Sequence, residues 1–99
     1  MRRDELLEAA LAAVDDRAAV YGEPDEVLGL VAAFWSIYLG VGIEPFDVTM
    51  LQALLKIARA KVAPQHPDSL VDLAGYAACG GEVAATARPR PRRRRRERA

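Results

Sequence analysis

The sequence predicts an all-α chain: a bundle of about four helices followed by a disordered, arginine-rich C-terminal tail. Apolar residues recur at helical spacing in four segments, proline and glycine punctuate the boundaries, and no alternating run of β-branched residues suggests a strand. The first helix spans about 4–20, where Leu7, Ala10, Leu11 and Val14 share a face with acids opposite and strong helix formers fill the remainder. Gly22 suits a helix stop and Pro24 the first turn of the next helix, which runs over about 24–39 and ends at Gly40 and Gly42. Pro45 opens a third helix over about 45–61 that is apolar nearly all round. Its Thr49, Gln52, Lys56 and Arg59 fall in one wedge of about 80°, so this helix is expected at the centre of the bundle, its polar stripe open to water or to a ligand. A proline-bounded loop at 63–67 leads to a fourth helix from about 68 into the 80s, where Gly75, Gly80, Gly81 and neighbouring alanines permit close helix packing.

Charge divides the chain in two. Its 99 residues carry 14 basic and 14 acidic side chains, yet eight arginines lie between 88 and 98. Residues 1–87 therefore hold six basic and thirteen acidic residues, a net charge of −7, and are expected to form one helical domain. Residues 88–99 are expected to stay disordered, because they have nothing apolar to bury and repel themselves. One cysteine, Cys79, and one histidine, His66, exclude a disulfide framework and a Cys/His zinc site, and suit a reducing cytoplasm. The N-terminus turns acidic and amphipathic instead of reading as an export signal, and the longest apolar stretch, 27–39, falls short of the ~20 residues that cross a bilayer. No membrane association is expected. So small a domain has a high surface-to-volume ratio, which self-association remedies.

Few residues carry chemistry. Asp68, Asp72 and Tyr76 stand at i, i+4 and i+8 on one face of the fourth helix, and Lys56 and Arg59 on the polar stripe of the third. Two carboxylates one turn apart can hold a hard cation such as Mg²⁺, and Lys and Arg can bind phosphate oxygens. The structural alternative is that Asp68 serves the helix N-terminus while Lys56 or Arg59 pairs with Asp72. Glu26 borders the apolar face of the second helix, either as a third metal-binding acid or as an acid favoured by the helix dipole. Trp35 and Tyr38 suit a core or a subunit interface better than a base-stacking platform. No local pattern activates a Ser, Cys or Thr nucleophile, so any enzyme here would use water. Arg92, Arg93, Arg94, Arg95 and Arg96 can contact nucleic-acid phosphates without reading bases, or fold onto the chain's own acidic body.

Arg17-x-x-x-Tyr21-Gly22-x-Pro24, Glu26, Phe34-Trp35-Ser36-x-Tyr38-Leu39-Gly40, Asp47-Val48, Lys56-x-x-Arg59 and Asp68-x-x-x-Asp72-x-x-Gly75-Tyr76-Ala77-Ala78 together resemble a small phage and prophage domain family of unknown function. That family is in turn distantly similar to MazG-type all-α nucleotide pyrophosphohydrolases. The resemblance covers roughly residues 15–80 and is most specific from Asp68 through Ala78. It implies a dimeric or tetrameric bundle in the bacterial host cytoplasm, with acidic side chains holding Mg²⁺ (or Mn²⁺) around a nucleoside triphosphate while water releases pyrophosphate and leaves the monophosphate. Carried over by position, Glu26, Asp68 and Asp72 become the metal-binding and catalytic candidates, Lys56 and Arg59 the phosphate contacts, and Tyr76 a substrate contact. The chain departs from the MazG pattern in lacking Glu-Glu-x-x-Glu followed by Glu-x-x-Asp, and has Val27 where the small family is expected to carry a polar Asn. A non-catalytic helical binding or accessory module, nucleic-acid-associated through the tail, is the alternative.

Overall fold

The computed structural model describes residues 1–86, and these form four α-helices with no strand among them: α1 (Arg3–Tyr21), α2 (Pro24–Leu39), α3 (Pro45–Val62) and α4 (Asp68–Thr86). The expected tail, including Arg92 to Arg96, lies outside the described residues. Local chemistry sets the boundaries. The Glu5 carboxylate accepts the Arg2 backbone N–H at 3.2 Å, and the Asp47 carboxylate accepts that of Glu44 at 2.9 Å, so each acid satisfies a donor at its helix entrance. Proline opens α2 and α3, and left-handed Gly40 (φ 70°) closes α2. Gly22 (φ 82°) turns the chain between α1 and α2. A contact that the sequence did not reveal holds the next turn: the Ser36 hydroxyl donates to the Ala32 carbonyl (2.7 Å) and accepts the Ile43 N–H (2.8 Å), tying the 40–44 loop back onto α2.

The central helix is α4, not α3. It packs on each of the other three, whereas α1 and α3 make no backbone approach to one another. Small residues permit this. A Cβ on Gly80 would come within 2.8 Å of Thr49 Oγ1 and 3.3 Å of Met50 Cε, so α3 and α4 meet at a distance only glycine allows. A Cβ on Gly75 would touch Val14 of α1 at 3.5 Å. Gly81, expected to share this role, faces open space.

The orientation of α3 is the reverse of the expectation. Most of its polar stripe points inward, with Arg59 alone of the four exposed: Thr49 is fully buried and satisfies its hydroxyl by donating to the Phe46 carbonyl at 2.6 Å, Gln52 is half-buried, and the Lys56 side chain is mostly covered. Leu51, Leu54 and Ile57 face out instead. The inward polar groups all find partners or half-exposure, so the inversion leaves no buried side-chain polar atom unsatisfied among the described residues. The first helix also differs from its predicted face, since Ala10 is buried but Leu7 and Leu11 stay exposed while α1 leans on α4 through Val14 and Gly75. Val48 and Thr49 are the largest fully buried side chains.

Two glycines one residue apart on α4 test the close approach. Gly80→Ala is expected to destabilise the fold by roughly 1–3 kcal/mol through overpacking against Thr49. Gly81→Ala, with open space around it and a better helix former in place, is expected to stabilise by up to ~1 kcal/mol. Urea denaturation of both variants measures the difference in sign.

Candidate functional site

Three helices bring charged side chains to one point. Lys56, on the inward stripe of α3, reaches Asp72 of α4 with Nζ 2.9 Å from Oδ2; Arg17 of α1 comes to the other oxygen, 3.6 Å from Oδ1. One turn beyond Asp72, Tyr76 lies under the Arg17 guanidinium, 5.6 Å from ring centroid to Cζ. The Lys56 side chain is 13% exposed, that of Asp72 24% and that of Arg17 50%. The short, covered Lys56–Asp72 pair is therefore a complete ion pair, and the longer, half-solvated Arg17 contact leaves guanidinium donors over. Counting the three groups, the cluster carries one excess positive charge in a body whose net charge is −7.

Beside the cluster, α1, α2 and α4 border an open, apolar cavity of about 190 Å³. Val14, Ala18, Val27 and Leu28 form its walls, and Arg17, Tyr21, Tyr76 and Cys79 also line it. This is smaller than the ~300–1,000 Å³ of pockets that take drug-sized ligands, and admits one ring or one aliphatic group. Burial, together with the Glu82 carboxylate, pushes the Cys79 thiol above its usual range against the opposing pull of Arg17, so the thiol stays protonated at neutral pH and is a poor nucleophile.

The expected site residues separate into two groups. Lys56, Asp72 and Tyr76 converge as described. Glu26 and Asp68 remain at helix entrances: Glu26 is exposed in the first turn of α2, its carboxylate folded over Gly22, where a Cβ would lie 2.7 Å from Oε2, and exposed Asp68 pairs with Nε2 of His66 at 3.3 Å. Arg59 is exposed in the last turn of α3, where a cation suits the helix dipole. Among the described residues no three His, Cys, Asp or Glu side chains approach closely enough to hold a metal ion, and both oxygens of Asp72 face cations. Glu26, Asp68 and Asp72 thus form no three-carboxylate donor set among the described residues. Arg17 and the cavity carry no role in the sequence reading, although Arg17-x-x-x-Tyr21, one helical turn apart on α1, was the available signal.

The ion-pair cluster makes a ranked prediction about stability. Asp72→Asn leaves the Lys56 ammonium covered and without its counter-charge, and is expected to cost roughly 1–3 kcal/mol. Arg17→Ala removes a half-solvated contact and is expected to cost under ~1 kcal/mol. Thermal denaturation that ranks the two in the opposite order contradicts this assignment.

No helix among the described residues is long and apolar enough to cross a membrane. Two curated phage proteins are similar to this chain. The Gene 55 protein of Mycobacterium phage D29 is 44% identical over 64 residues, 65% of this chain and 42% of the relative; that of Mycobacterium phage L5 is 44% identical over 62 residues, 62% of this chain and 40% of the relative. The chain thus spans about two-fifths of the length of these relatives. No solved structure matches it. The model of one family matches residues 5–84, nearly the whole described length, and the chain belongs to that family, described as a domain of unknown function (DUF6378).

Proposed function

We propose that the chain is a helical nucleotide-binding module of a phage protein, working in the host cytoplasm. The observation that supports it is the Arg17 guanidinium, held over the Tyr76 ring at the edge of the 190 Å³ cavity with donors to spare beyond Asp72. An apolar recess beside a supported cation suits a ligand with a ring at one end and an anion at the other. Phosphate on a nucleoside meets both requirements. Tyr76 acts here by positioning the guanidinium as well as by touching the ligand, and the Lys56–Asp72 pair holds α3 and α4 in register beneath it.

Hydrolysis of a nucleoside triphosphate to the monophosphate and pyrophosphate is the second reading. The meeting of Lys56, Asp72 and Tyr76 favours it, since three of the residues singled out by the MazG resemblance gather at one place. No catalytic step is assigned to a metal, because Glu26, Asp68 and Asp72 do not form a donor set within the chain.

Calorimetric titration with nucleoside triphosphates, monophosphates and inorganic phosphate, with and without Mg²⁺, tests the binding reading. Nucleotide binding is expected without metal, weakened at least tenfold in Arg17→Ala; absence of binding by every nucleotide, or binding unchanged in Arg17→Ala, overturns it. Pyrophosphate release measured in parallel decides the second reading. Turnover lost in Asp72→Asn, with helical circular dichroism and nucleotide binding retained, makes the protein a hydrolase. A nucleotide bound but not turned over leaves it a binding module.

A further inference from the structure

The sequence from Val27 to Ile43 contains no charged residue, yet α2 is not enclosed. Its inner side, with Ala32 buried and Val31, Trp35 and Ser36 half-buried, meets the rest of the bundle. On the opposite side Val27, Leu30, Phe34, Ile37 and, just past the helix end, Val41 stand at alternating steps of three and four, and all are exposed: Phe34 61%, Ile37 80%, with Tyr38 beside them 89%. A solvent-facing helix ordinarily carries polar residues on its outer side, and a helix apolar on both sides is normally covered on both. Steps of three and four form the narrow seam along which one helix packs on another, knobs into holes.

We infer that this seam pairs with the same seam on a second copy of the chain, α2 against α2 in antiparallel orientation. Area supports a copy as the occupant. Two aromatic side chains of ~150–250 Å² each and four aliphatic ones of ~60–120 Å² each, more than half exposed on average, come to roughly 350–650 Å² per copy. That is about half or more of the ~800 Å² per partner of a stable interface. A two-fold contact also needs only one self-complementary patch. Charge selects the direction. Glu23, Asp25 and Glu26 crowd the start of α2, and a parallel pair would set these acids against their own copies. The antiparallel pair places each acidic start beside the uncharged end of the other helix, with the two helix dipoles opposed. It also brings Ile37 of the second copy to Val27, which lines the cavity beside Arg17, so the second copy closes that cavity's outer lip.

Sedimentation of the full chain, with engineered cysteines in a Cys79→Ser background, tests this. The wild type is expected to sediment as a dimer or a multiple of it, and Phe34→Glu with Ile37→Glu to sediment as a monomer with helical circular dichroism retained. Val27→Cys combined with Ile37→Cys is expected to give a disulfide-linked dimer under mild oxidation, and neither single substitution to do so. A monomeric wild type overturns the inference, as does an oligomer that survives Phe34→Glu and Ile37→Glu. Efficient cross-linking by either single cysteine overturns the antiparallel arrangement.

Discussion

Among the described residues, Asp72 of α4 sets its carboxylate against the charged groups of two other helices. Its two carboxylate oxygens face Lys56 of α3 and Arg17 of α1, helices whose backbones do not approach one another, so this acid of α4 links their cations. That arrangement depends in turn on how closely α4 can approach, which Gly80 permits against Thr49 and Gly75 against Val14. Lys56 reaches a carboxylate from the covered side of α3 only because the backbones lie this near. The inward turn of a polar stripe follows from the same constraint, since a charge can be covered when its partner and geometry are supplied.

The same carboxylate shapes what the site can do. Both oxygens of Asp72 face cations, and the donors left over are those of Arg17, half-solvated and stacked on Tyr76. In a body with thirteen acids over residues 1–87, this cluster sets one excess positive charge beside an apolar cavity, and the proposed anionic ligand rests on that pairing.

The helices were legible in the sequence because their signals are local. Pro24 and Pro45 open helices, Gly22 and Gly40 end them at positive φ, and four apolar segments become four helices with ends shifted by a residue or so. The choice of face was not legible. Periodicity shows that Thr49, Gln52, Lys56 and Arg59 share a stripe, but α3 is apolar nearly all round, so its inward side depends on which groups α4 offers. Asp72 and Gly80 offer a partner for Lys56 and room for Thr49, and those decide it. In the site, Asp72 and Tyr76 were readable as neighbours one turn apart. Arg17 was not, because its place over Tyr76 requires the packing of α1 on α4. Glu26 and Asp68 share the residue type of metal ligands but lie at helix entrances, and no local spacing distinguishes an acid serving a helix end from one aimed into a cleft.

The Lys56–Asp72 pair ties α3 to α4 as a coupled unit. A double-mutant cycle in chemical denaturation, with Lys56→Met, Asp72→Leu and the combined variant, measures that coupling directly. Each single substitution is expected to strand a covered charge and the double variant to recover part of the loss, giving a coupling of about 1–3 kcal/mol. Losses that add to within ~0.5 kcal/mol would contradict it.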